Sequence, residues 1–178
     1  LGLEAELTTL AFGDVAFEGR GAQNTTVDIG IELKVLPDLI GSLRSGRLAG
    51  HQLPGLLNAY EHAWLVVEGT WRSDKKGDLL YRGRQGRWQR LHGRMSAGEL
   101  EKHVLTLELC GGLHVRYTPT RRDTVHFLAS LYRWFTDKSL DHHTSHLAVH
   151  TPSSFLPISQ FRQVVSRFPG IGLKTSLA

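Results

Sequence analysis

"TVDIGIELKV" (residues 26–35) and the "LPDLIGSLRSG" (residues 36–46) that follows it decide the fold. The first string is rich in Val and Ile and reads as a strand. In the second, Leu36, Leu39, Ile40 and Leu43 fall at i, i+3, i+4 and i+7, the spacing of an amphipathic helix. Pro37 suits its first turn and Gly46 its end. The strand also carries two charges. Side chains two apart point to one face, so Glu32 and Lys34 project together beside Gly30, with Ile31, Leu33 and Val35 on the other face. Burying charges without partners is costly. Two arrangements answer that cost. One is an ion pair between Glu32 and Lys34 on a sheet edge. The other is a metal site in which Glu32 and a carboxylate from a neighbouring strand hold Mg²⁺ or Mn²⁺, both oxygen-seeking cations. Asp14 supplies the second carboxylate, because it opens the preceding strand after a turn at Gly13. Two acids and a lysine on adjacent strands suit phosphodiester hydrolysis. The metal polarises a phosphate oxygen and acidifies a water, while the lysine steadies developing negative charge or orients that water.

Outward from this centre, "EAELTTLAF" (4–12) alternates as a strand does, and "VAFEGRG" (15–21) continues as a short strand and loop. "QLPGLLNAYEH" (52–62) reads as a second helix. "AWLVVEG" (63–69) is a near-continuous apolar run, the pattern of a strand covered on both faces. "LLYRGRQGRWQRL" (79–91) reads as a basic hairpin with Gln85-Gly86 near its tip. "SAGE" (96–99) has the capping-box pattern and opens a helix that ends near Gly111-Gly112. "LHVRYTP" (113–119) is a strand, and Thr120 with Asp123 starts another helix. Strands alternate with helices, which predicts an α/β domain over 1–136: a central mixed sheet flanked by helices, with a basic insertion at 70–94. Residues 137–157 are polar, His-rich and broken by Pro, and read as a linker before a final helical segment at 158–178.

Composition limits the class of function. The chain has 178 residues, 40% hydrophobic and 21% charged, as a globular domain does. No apolar run reaches the ~18 residues of a membrane helix, so no membrane role is expected. A single cysteine, Cys110, cannot form an internal disulfide, and points to an intracellular setting. That means cytoplasmic in a prokaryote or virus and nuclear in a eukaryote. The net charge is +4 and unevenly spread. Arg72, Lys75, Lys76, Arg82, Arg84, Arg87, Arg90 and Arg94 face only Asp74 and Asp78, with Trp71, Tyr81 and Trp88 interleaved, while acids collect in the first 40 positions. A basic stretch beside an acidic cluster suits a protein that attracts phosphates and holds a cation. The hairpin is either a solvated basic loop or a grip on a nucleic-acid backbone, with Arg82, Arg84 and Arg87 as its contacts.

Gly13-Asp14, a variable gap, Glu32-Leu33-Lys34, three residues and Asp38 resemble the Gly-Asp…Glu-Arg-Lys-x-x-x-Asp signature of the XPF family of structure-specific endonucleases. That family lies within the restriction-endonuclease-like PD-(D/E)xK superfamily. "DLIGSLRSGRLAGHQL" (38–53) and "WLVVEG" (64–69) extend the resemblance. It implies a metal-dependent endonuclease for branched, flapped or distorted duplex DNA, with a homo- or heterodimer partner. The alternative within the same family is an inactive DNA-binding scaffold subunit, against which the presence of Asp14, Glu32 and Lys34 argues. By resemblance Asp14 and Glu32 are metal ligands, with the Leu33 carbonyl as a third. Lys34 is then the catalytic lysine, and Asp38 caps the helix and orients the site. Arg47 and Gln52 match polar positions near the centre and Glu68 matches the acid of the Val-Glu-Gly strand; a solvated helix end or strand-end charge serves as well for each. Two departures stand out: Leu33 replaces the usual Arg, and the family's upstream acidic strand is not represented. "FPGIGLKTSLA" (168–178) resembles the hairpin of a helix-hairpin-helix, in which Gly170, Gly172 and Lys174 would contact a DNA phosphate. His142, His146 and His150 share helical spacing, but no cysteine is near and Pro152 follows, so a loop is the better reading than zinc.

Overall fold

Two strands open the fold: β1 (Val15–Arg20) and β2 (Thr26–Val35), joined through a 3₁₀ turn at Ala22–Asn24. The computed structural model describes residues 3–83, 86–90 and 95–143, except the side chains of Ala49 and His51. After β2 come α1 (Leu36–Arg44), a π-type turn (Leu48–Gln52), α2 (Leu53–Ala59) and β3 (His62–Glu68). Three short strands follow, β4 (Trp71–Ser73), β5 (Leu79–Arg82) and β6 (Trp88–Arg90). Then come α3 (Ala97–Leu109), β7 (His114–Thr118), α4 (Arg121–Asp137) and a 3₁₀ turn at Leu140–His142.

The main sheet runs β1-β2-β3-β7. β1 is antiparallel to β2, whereas β2, β3 and β7 are parallel, which makes the sheet mixed as expected. Helices cover both faces. On one, Ile29, Ile31 and Val66 pack against Leu131 and Phe135 of α4. On the other, Leu65 and Val67 pack against Leu36, Leu39, Leu56 and Leu100 of α1, α2 and α3. β3 is therefore buried from both sides, which is why its sequence is almost uninterruptedly apolar. β4, β5 and β6 form a separate three-stranded antiparallel sheet, one strand more than a hairpin.

Local chemistry sets the element ends. Gly46, at φ +70°, stops the turn that follows α1. Ser96 caps α3 by accepting from the Glu99 N–H at 3.1 Å, and Glu99 Oε2 accepts from the Ser96 N–H at 2.7 Å, so the expected capping box is closed. The Thr120 side chain accepts from the Asp123 N–H and opens α4.

Three expectations change. Residues 4–12 form no strand. Leu7 is fully exposed, and the segment has no ladder partner beside β1. The helix expected over 52–62 stops at Ala59, because Tyr60 is extended and lays its ring on Gly30 of β2. A Cβ at Gly30 would lie 2.0 Å from that ring, so only glycine admits it. Asp38 does not cap α1. The N-cap is Val35, without a side-chain hydrogen bond, and Asp38 stands in the first turn, where its charge complements the helix dipole.

One compact unit takes in Leu1–His143. The segment read as a linker begins inside it: the Gln23 N–H donates to Asp141 Oδ1, and Trp134 stacks on His143 at 4.0 Å. Residues 144–157 and the helix-hairpin-helix read at 158–178 lie outside the described residues.

Candidate active site

Asp14 is placed by the turn before it. Gly13 takes φ +83°, a left-handed conformation that side chains resist. Tyr60 Oη donates to the Phe12 carbonyl at 2.9 Å, and the Phe12 ring lies against Gly55 of α2, so the approach to Asp14 is fixed from two sides. The Asp14 N–H then donates to the Ile31 carbonyl at 2.8 Å, and its Oδ2 accepts from the Leu33 N–H at 2.7 Å. Backbone groups alternate along a strand, so Ile31 and Leu33 both present theirs toward β1. Asp14 thus stands where β1 begins, against the Leu33 peptide of β2. The β1–β2 ladder, which pairs Val15 with Ile31, brings Asp14 beside the stretch of β2 that carries Glu32, eighteen residues on in sequence.

Glu32 and Lys34 share a face of β2 as expected, and Lys34 Nζ lies 2.8 Å from Glu32 Oε1. The ion pair exists, but not at a sheet edge: β2 is flanked by β1 and β3, and Glu32 and Lys34 are 8% and 9% exposed. Their face is that of Leu65 and Val67, under α1 and α2. A charge pair at the centre of a sheet is seldom a net gain in stability over apolar packing.

Hard oxygen donors converge here. Among the described residues, the hydrogen bonds at this centre engage Asp14 Oδ2 and Glu32 Oε1, leaving Asp14 Oδ1 and Glu32 Oε2 for another partner. No group of three His, Cys, Asp or Glu residues able to hold a metal occurs among the described residues. Two carboxylates and a main-chain carbonyl are nonetheless the sparse oxygen set with which Mg²⁺ keeps most of its waters. The donor chemistry fits such a cation.

The other predicted residues are dispersed. Arg47 Nη2 donates to Ser42 Oγ at 3.2 Å, tying it back to α1. Gln52 Oε1 is buried without a partner among the described residues. Glu68 ends β3, and Thr124 Oγ1 donates to its Oε2 at 2.9 Å while meeting Thr118 Oγ1 at 2.7 Å. Arg82 and Arg87 are exposed on the small sheet and its turn. Arg84, Gly170, Gly172 and Lys174 lie outside the described residues, as do His146 and His150. His142 Nδ1 and His143 Nε2 are engaged by Ser139 Oγ and the Trp134 carbonyl.

Sequence reasoning missed a groove. Val35, Asp38, Glu68, Arg82, Thr120 and Arg121 line an open space of ≈ 1090 Å³ along the C-terminal ends of β2 and β3. Ligands of parallel sheets bind at that end. Its walls come from segments far apart in sequence, and no local pattern marks them.

A family model described as the ERCC4 domain matches residues 1–131. The chain belongs to the ERCC4-domain family. This is the nuclease family to which the signature around Asp14 and Glu32 points. No curated protein matches the chain. Among solved structures, the chain resembles XPF from Aeropyrum pernix at 24% identity and a TM-score of 0.51, covering 96% of this chain and 67% of that one. It also resembles XPF from Aeropyrum pernix in complex with DNA at 24% identity and a TM-score of 0.44, covering 84% of this chain and 58% of that one. At that identity the first likeness bears on the fold, and the ERCC4 fold is the mixed sheet described above.

Proposed function

We propose that this ERCC4-domain protein is a DNA endonuclease that hydrolyses phosphodiester bonds in branched, flapped or distorted duplexes. The observation that carries this reading is the hydrogen bond of Asp14, at the start of β1, to the Leu33 peptide, which lies between the two members of the buried Glu32–Lys34 pair of β2. Asp14, Glu32 and the Leu33 carbonyl would hold Mg²⁺ or Mn²⁺, which when bound supplies Lewis acidity to the phosphate and a more acidic water. Lys34 keeps its ammonium group beside Glu32, where it can donate to a phosphoryl oxygen as negative charge grows there. Burial away from bulk water strengthens that interaction. Asp38 and Glu68 lie along the neighbouring groove and would order water or strand near the centre. Arg47, Gln52, Arg82 and Arg87 are proposed DNA contacts. Arg84, Gly170, Gly172 and Lys174, outside the described residues, are proposed DNA contacts from the sequence alone. A dimer partner belongs to the same proposal.

The test is cleavage of a labelled fork in Mg²⁺ or Mn²⁺ by the whole chain. Asp14→Asn and Glu32→Gln should each lower the rate by roughly 10²-fold or more. Mn²⁺ should raise the melting temperature of the wild type and not of either variant, since only a protein that binds the ion gains from it. A wild type that binds forks but never cuts them, with no Mn²⁺ shift, would make the chain a scaffold subunit instead.

A further inference from the structure

The insertion between β3 and α3 has two unlike faces. Strands alternate their side chains, and the register pairs Trp71 with Tyr81, Ser73 with Leu79 and Tyr81 with Gln89. Trp71, Leu79 and Tyr81 turn that face onto the core. The opposite face gathers Arg72, Leu80, Arg82, Trp88 and Arg90, because Arg72 pairs with Leu80, Leu80 with Arg90, and Arg82 with Trp88.

The charges on the second face are not balanced. Arg90 is neutralised, with Nη2 at 2.6 Å from Asp74 and 3.6 Å from Asp78. No carboxylate among the described residues pairs with Arg72 or Arg82. The Arg72 guanidinium sits 4.2 Å from the centre of the Trp88 ring, yet Trp88 remains 37% exposed. Like charges held close on a small sheet repel one another, and a polyanion relieves that repulsion. A large aromatic held among them offers a flat surface to a base.

We propose that this face docks an unpaired strand of nucleic acid, with Trp88 stacking on a base and Arg72 and Arg82 meeting phosphates. The proposal rests on the nuclease reading above and names the part of the substrate that lies beside its site. Arg82 also lines the groove that Val35 borders, and Val35 follows Lys34. A strand on the face would therefore border that groove. The occupant is unpaired because stacking on an aromatic needs an open base face, which a duplex hides and a single strand presents.

The test uses the intact chain in EDTA, so that no cleavage intervenes, and a fluorescein-labelled oligothymidylate followed by anisotropy. The wild type should prefer the oligonucleotide to a blunt duplex. Trp88→Ala should weaken oligonucleotide binding about tenfold, with duplex binding little changed. Trp88→Phe should restore most of the loss. Arg82→Ala should reduce the slope of log affinity against log salt by about 0.7, the loss of one phosphate contact on a single strand. If Trp88→Ala does not fold, the Trp88→Phe and Arg82→Ala arms decide. Unchanged binding across the variants, an equal loss for duplex, or displacement by polyglutamate as efficient as by unlabelled oligonucleotide overturns the proposal. Asp14→Asn separates it from the nuclease reading, since that variant should lose fork cleavage and keep strand binding. Binding that depends on Trp88 in a wild type that never cuts forks would sink the nuclease and spare the platform. Cleavage that depends on Asp14 with no contribution from Trp88 would do the reverse.

Discussion

On the proposed function, Lys34 would serve chemistry through the same contact that compensates Glu32. Its ammonium group compensates Glu32 at 2.8 Å inside the sheet. Lys34→Met should therefore abolish cleavage and also cost about 3 kcal/mol of stability, because it strands a carboxylate away from water. Urea unfolding measures the second effect independently of the first. A loss of cleavage with unchanged stability would mean that Glu32 is already compensated by another group. The alternation of 26–35 was enough to put Glu32 and Lys34 on one face. It could not say that the strand is interior rather than an edge, since that depends on β1 and β3 arriving on either side. Tyr60 left no mark in the sequence as a positioning residue. Its hydrogen bond to Phe12 and its contact with Gly30 join segments that only folding brings together.

At the scale of elements, boundaries were readable wherever a side chain satisfies its own helix end. The Ser96–Glu99 box and the Thr120–Asp123 cap are local, so their spacing announces them. Ser96→Ala should remove roughly 1 kcal/mol of stability, seen as a lower urea midpoint with an unchanged slope. Boundaries set by tertiary contact were not readable. α2 ends early for the sake of the Tyr60 ring, and 4–12 has the alternation of a strand but nothing to pair with. The third strand of the insertion, β4, is only three residues long, too short for any period to show.

Across the whole molecule, the N-terminal end of the parallel strands, opposite the groove, carries a titrating group. His62, on β3, stacks near His114 of β7 at 6.4 Å and against Phe135 of α4 at 5.1 Å. Burial, and next the neighbouring His114, hold its imidazole below the usual 6.5, while Glu61 pulls weakly the other way. Above 6.5 the ring is neutral in both the folded and unfolded chains, and it costs nothing. As the pH falls through 6.5 the unfolded chain takes the proton first, so stability drops until the folded ring is protonated too. His62→Gln should flatten the fall in melting temperature below 6.5. An unaltered pH profile would show that the ring is free to protonate in the fold.

The sequence alone determined the alternation of the main-sheet strands from β1 onward with the helices, the face that Glu32 and Lys34 share, and the basic character of 70–94. Each of these is carried by residues close in the chain or by a fixed spacing. Tertiary structure alone decided that β2 is interior, that Asp14 meets the Leu33 peptide, that a groove runs along the strand ends, and that the insertion's arginines gather around Trp88 on one face. These follow from which strands pair and in what register, and register is settled by burial of both sheet faces at once.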